Sequence, residues 1–249
     1  GDLGTSYTTQ SSVVSEIGSR VWVSVRFSLV ATAIVTVVGV SLGVLCAVYQ
    51  YSFFDNFVNI LAKTLGSIPG FLLGVLLMRY LAQELGWFPI FGFSTPKHWV
   101  LPLITQCLPF TATTIRQSRS AMLDCIRQDY VKTSRSKGAK ESKVIFVDTL
   151  RNALLPIITN VGTNFAIFIG GAVVVENVFS IPGIGSKVIE AINNADMPVV
   201  MACSMVIAIM FTGMALIIDL CYALVDPRLK STFVKAKKKT KKVKREEQS

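Results

Sequence analysis

One segment of the chain gathers groups suited to gripping a partner. Residues 128–162 read QDYVKTSRSKGAKESKVIFVDTLRNALLPIITNVG. Tyr130, Val131 and Ser134 precede Gly138, and Val144, Ile145, Val147 and Leu150 follow it at roughly helical spacing. The pattern predicts two short amphipathic stretches with a tight reversal between them, because glycine disfavours one continuous helix and permits the turn. A short polar helix of this kind is a handle through which a soluble partner can transmit motion. The alternative is a basic loop that sets topology and touches anionic lipid. Reactive chemistry is sparse elsewhere. His98 is the single histidine, and with no CxxC or HxxxH-type cluster a structural zinc site is not expected. Cys46, Cys107, Cys125, Cys203 and Cys221 lie in or beside apolar runs without paired spacing, and read as small hydrophobes. No GxxxxGK[ST] phosphate loop occurs, so the chain is not expected to be its own ATPase. No catalytic residue, metal ligand or cofactor of its own is predicted.

The elements that must carry this segment are membrane helices. Of 249 residues 51% are apolar and 16% charged, against about 25% charged in an average soluble domain. A spanning helix needs about 20 predominantly apolar residues. Runs at 27–48, 99–118, 153–175 and 197–218 meet or approach this, and 57–81 does so with Lys63 and Arg79 near opposite ends, where they can snorkel. The expected fold class is therefore an all-α polytopic bundle with five spans in 1–229, a cytoplasmic loop at 119–152 and a basic tail at 230–249. Small residues such as Gly39 and Gly43 allow close helix approach, and Pro69 and Pro109 are candidates for bending helices around a pathway.

Charge sets the orientation. Most of the 25 lysines and arginines fall between the third and fourth spans or after the fifth, while the loops at 82–98 and 176–196 hold few. By the positive-inside rule the 119–152 loop and the C-terminus face the cytoplasm. Counting back through five spans puts Gly1 outside, with no signal peptide ahead of it; a sixth, first span upstream of Gly1 is expected. The tail at 235–245 is basic at most positions and should be attracted to anionic lipid; it lacks the aromatic interleaving of a nucleic-acid binder.

Within and beside the spans several polar or turn-forming residues invite a role. Asn160, Thr163 and Asn164 lie on one side of an apolar helix, as interhelical glue or pathway lining. Glu176 ends the fourth span as an anchor or as part of the external mouth. Phe179 to Gly185, with Pro182 and two glycines, is a turn-rich stretch able to pack over that mouth as a gate. Asp219 is expected to pair with a basic loop residue or a helix end.

The 128–162 segment resembles the signature loop of permease subunits of ABC importers, in particular the dipeptide, oligopeptide and nickel group. Asp129, Tyr130, Val131, Thr133, Arg135, Lys137, Gly138, Arg151, Asn152, Ala153, Leu154 and Pro156 fit that group's version. Lys132, Thr133 and Ser134 depart from the broader Glu-Ala-Ala pattern, and Pro156 stands further from Gly138 than that pattern has it. Other stretches are similar to the same group: the opening GDLGTS, Ser67-Ile68-Pro69, Leu85-Gly86-Trp87-Phe88-Pro89, Val175 through Gly185, and Asp226-Pro227-Arg228. The resemblance implies a permease fold of type I importers and half of a translocation pathway for peptides or a related small solute, a nickel chelate among them. It implies docking to the ATPase through Asp129, Tyr130, Thr133, Arg135, Lys137, Gly138 and Ala139. The implied partners are a second homologous permease, cytoplasmic ATP-binding subunits carrying ATP and magnesium, and an extracytoplasmic solute-binding protein, in a bacterial inner membrane. The rival readings are an ion-gradient-driven secondary transporter, which would carry ionisable residues at mid-membrane, and a non-transporting membrane scaffold or sensor.

Overall fold

The computed structural model describes residues 3–90 and 92–225. Residues 3–12 form a small turn, pinned by an antiparallel bridge between Thr5 and Ser12. Helix α1 then runs Val13–Val48. Its 36 residues extend about 54 Å at 1.5 Å per residue, well beyond a hydrocarbon core of about 30 Å. Its first turns, through Val13 and Ile17, pack in one cluster with Ile184, Ala191 and Val199.

After a short turn, α2 (Phe53–Gly66) begins under Ser52, whose hydroxyl accepts from Asp55 N at 3.2 Å. The run expected as one span at 57–81 is broken. Helix α3 (Gly70–Leu77), continued by a π-helical turn Met78–Glu84, leaves α2 at 91°. Pro69 stands at the break, where its missing N–H and fixed φ end α2 and start α3. Pro109 behaves otherwise: it lies inside α4, which is continuous over Pro96–Ile126.

Helix α4 is the hub, packed along α1, α2, α3 and α7. Three helical stretches are long and apolar enough to cross a membrane alone, Val13–Val48, Glu141–Gly170 and Met197–Ile218, and the bent α2–α3 pair makes a fourth. The fifth expected span, 99–118, lies in α4, which has the length but not the apolarity. A helix enclosed by other helices meets side chains rather than lipid, so it can carry Thr105, Gln106, Thr114 and Ser118 buried. Gly39 and Gly43 bring α1 against it. A Cβ on Gly39 would lie 2.8 Å from Thr114 Cβ, and one on Gly43 would lie 2.7 Å from Ile115 O.

The segment between α4 and α7 contains α5 (Asp129–Ser136). The second amphipathic stretch expected after Gly138 is not a separate helix. It is α6 (Glu141–Lys143) and a π-helical turn Val144–Thr149, leading directly into α7 (Leu150–Gly171). At the other end of α7, α8 (Val173–Val178) and α9 (Ile184–Asn193) form a cap on the bundle, and α10 (Met197–Val225) returns. The Asp219 side chain and the 230–249 tail lie outside the described residues.

Candidate functional site: an exposed polar helix and a helical cap

Helix α5 is held by few, specific contacts. Val131 is fully buried, and Ser134 Oγ donates to Asp148 Oδ2 at 2.6 Å. Arg135 donates from Nη2 and Nε to the two carboxylate oxygens of Glu141, at 2.5 and 3.2 Å. The C-terminus closes in a Schellman arrangement: Gly138 N–H donates to Arg135 O at 2.9 Å and Ala139 N–H to Ser134 O at 3.3 Å. That geometry needs a left-handed residue, and Gly138 has φ +75°. A Cβ there would meet nothing within 4 Å of this chain. Glycine is therefore required here by the backbone, and the space beyond it is open to a partner.

The docking candidates all lie on α5 or on Lys137, Gly138 and Ala139 just after it. Asp129, Tyr130, Thr133, Arg135, Lys137 and Gly138 are exposed and Ala139 is half-buried. Lys132 pairs with Asp129 at 2.9 Å, and Lys137 and Lys140 give the tip its positive charge. Glu141–Gly170 is one helical stretch, and Ser134–Asp148 and Arg135–Glu141 join α5 to its first turns.

The five pathway candidates fall into two groups. Asn160 and Asn164 sit on the α7 face toward α4. Thr114 Oγ1 donates to Asn160 Oδ1 at 3.0 Å, and Asn164 Nδ2 donates to Thr114 Oγ1 at 3.1 Å and to Asn160 Oδ1 at 3.2 Å. Asn160 Nδ2 donates onward to Gln117 Oε1. Thr163 is exposed. Glu176, Phe179 and Pro182 belong to the cap. Phe179 is buried against α3, Pro182 is exposed, and Glu176 is fully enclosed. The Glu176 carboxylate accepts from Ser24 Oγ at 2.6 Å and from Ser186 N at 3.0 Å, while Ser24 Oγ itself accepts from Ile184 N at 2.9 Å. These N–H groups belong to the first turn of α9, which has no intrahelical acceptors for them. Glu176 and Ser24 supply acceptors, and a carboxylate also suits the positive end of the helix dipole.

Three arrangements escaped the sequence reading. Asp55, almost fully buried, accepts Arg119 Nε and Nη2, each at 2.7 Å, joining α2 to α4. Asp196, just before α10, accepts from Ser6 Oγ at 2.5 Å, Tyr7 N at 3.2 Å and Thr8 N at 3.3 Å, tying down the N-terminal turn. Lys187 bridges Glu16 and Glu190, each at 3.0 Å. The spacing of Ser52 and Asp55, as a helix-start pattern, and that of Lys187 and Glu190, three apart, were legible signals; the other partners are too far apart in sequence to be matched.

Comparison with known proteins agrees with this geometry. Residues 39–231 match the family model described as binding-protein-dependent transport system inner membrane component. The chain is 34% identical over 92% of its length, and 75% of the relative's, to a glutathione transport system permease protein of Pectobacterium atrosepticum. It is 38% identical, over 92% and 76%, to an oligopeptide transport system permease protein of Bacillus subtilis. A dipeptide transport system permease protein of Alkalihalophilus pseudofirmus is 34% identical, over 92% and 78%. Among solved structures, the methionine ABC transporter in an inward-facing conformation superposes with a TM-score of 0.68 at 19% identity, covering 84% of this chain and 96% of that one. A shared bundle, and close relatives that are all importer permeases, place this multi-pass membrane chain in the family of inner-membrane permease components of binding-protein-dependent ABC transport systems, whose ATP hydrolysis belongs to a separate subunit.

Proposed function

We propose that the chain forms one half of the translocation pathway of an importer for peptides or closely related solutes, coupled to its ATPase through α5. A second permease of the same fold would complete the pathway. An external binding protein would deliver the solute, and the ATPase subunits would carry ATP and magnesium. In this reading the 119–152 segment and the C-terminus face the cytoplasm, and the α8–α9 cap faces outward. ATP binding would close the ATPase dimer, move α5 and bias a two-state bundle between inward- and outward-facing arrangements. The supporting observation is α5 itself: an exposed polar helix with one buried side chain, ended by a left-handed glycine and fixed to the base of α7. The solute reading rests on the relatives named for glutathione, oligopeptides and dipeptides.

Gly138 separates backbone strain from crowding. Asparagine tolerates left-handed φ but adds bulk toward a partner, so Gly138→Asn should leave the subunit folded. It should also reduce ATPase copurification, solute-stimulated ATP hydrolysis and uptake together. Gly138→Asp should do so more strongly. Normal copurification and uptake in both variants would remove α5 as the coupling element.

A further inference from the structure

In the membrane region one side of the α4–α7 pair is polar and open. Arg116 and Gln117 on α4, and Thr163 on α7, are exposed. Hydrocarbon would leave such groups unsatisfied, so on the permease reading above this side faces the pathway rather than lipid. The Asn164, Thr114, Asn160, Gln117 ladder ends on that side, and it has a direction. Asn164 donates to Thr114, Thr114 to Asn160, and Asn160 to Gln117 Oε1. Each donor thus points toward Gln117. The inner end cannot readily turn round, because Thr114 is fully buried against Gly39 and Asn164 is almost so. With Gln117 Oε1 occupied, its Nε2 points outward and has no hydrogen-bond partner among the described residues. A chain of hydrogen bonds running one way polarises its members and strengthens the last donor. The open end is therefore an oriented, uncharged N–H₂ donor.

We propose that Gln117 is a specificity-determining contact of the pathway, donating from Nε2 to a carbonyl or carboxylate oxygen of the passing solute. Thr114, Asn160 and Asn164 are positioning residues that keep its carbonyl turned inward. The chemistry suits a peptide of any sequence, since each peptide bond offers a carbonyl oxygen whatever its side chains. A single neutral donor also holds weakly, and a site in a pathway must release as well as bind.

The test uses the whole transporter, with its second permease, ATPase and binding protein, in liposomes, and trialanine as the probe. Gln117→Met should lower the maximal rate of ATP-dependent uptake about fivefold, the usual worth of one hydrogen bond, with basal ATP hydrolysis and ATPase copurification unchanged. Gln117→Glu, which replaces the donor by an acceptor, should lower it at least as much. Thr114→Val should have a smaller effect that disappears in the Gln117→Met background, because it acts through the same donor. Trialanine amide identifies the oxygen: equal sensitivity to Gln117→Met points to the peptide carbonyl, and sensitivity of trialanine alone points to the terminal carboxylate. Uptake by Gln117→Met and Gln117→Glu within twofold of the unaltered complex would overturn the assignment, as would parallel loss of copurification and basal hydrolysis. No uptake of alanine peptides by the unaltered complex would instead refute the peptide reading itself.

Discussion

Glu176 and Gly183 compete for one small volume: a Cβ added to Gly183 would overlap the Glu176 carboxylate. The stretch from Val175 to Gly185 is thereby explained as a unit. The acid turns back on its own chain to cap α9, Ile181 is buried beneath the turn, and glycine leaves room for the carboxylate.

Gly183→Ala should therefore displace Glu176 from Ser24 and Ser186, at a cost of about 1–3 kcal/mol for overpacking. Glu176→Gln keeps the shape and one acceptor, and should cost less. The measurement is the thermal midpoint of the detergent-solubilised protein, with proteolysis in the 176–196 region as a local readout. Equal stability of Gly183→Ala and the parent would remove Glu176 as the organiser of the cap.

The Asp55–Arg119 pair makes a second, independent prediction. Asp55 is 1% exposed and its partner 22%, so removing one member strands a charge that is largely out of water. Arg119→Met should cost about 3 kcal/mol or more, and the double change Arg119→Met with Asp55→Leu should recover much of it. Arg119→Lys should not substitute, because an ammonium cannot make both bonds of the fork. A double-mutant cycle on thermal stability checks this; additive effects would contradict it.

The N-terminal turn should be acid-sensitive. Hydrogen bonding from the Ser6 hydroxyl, with the Tyr7 and Thr8 amides, lowers the Asp196 carboxyl to about 2. A depressed carboxylate pKa stabilises the folded arrangement above the ordinary carboxylate range, and that contribution is lost as pH falls toward about 2. Hydrogen exchange at Tyr7 and Thr8 should rise, relative to intrinsic rates, between about pH 4 and that value, and Asp196→Asn should flatten the profile. A parent profile as flat as the variant's would show that the turn is held by something else.

Topology is testable by labelling on a background without native cysteine. Cysteines at Lys97 and Asn194, both exposed, should react with an impermeant thiol reagent applied outside. A cysteine at Lys140, exposed beside Gly138, should react only after the membrane is opened. Lys187 is unsuitable as a probe because it is buried in its ion pairs with Glu16 and Glu190. External labelling at Lys140 would invert the orientation and remove α5 from the ATPase.

The sequence alone determined what depends on composition and on neighbours along the chain. Long uncharged runs imposed membrane helices, basic loops pointed to an orientation, and the spacing about Gly138 marked a reversal whose positive φ is a local backbone property. It also carried the family resemblance, which lies in contiguous motifs. Tertiary structure decided whatever required distant residues to meet. Asn160 and Asn164 were legible as polar residues in a span, but their partners Thr114 and Gln117 lie on another helix, so only packing revealed an aligned ladder. Glu176 was equally consistent with a mouth or an anchor until Ser24, 152 positions away, supplied its hydrogen bond. The break at Pro69 and the continuity at Pro109 also differ for a tertiary reason. Proline removes the same N–H at both sites, yet α4 is held straight through by the helices around it, while α2 and α3 each find a separate surface on α4 to pack against.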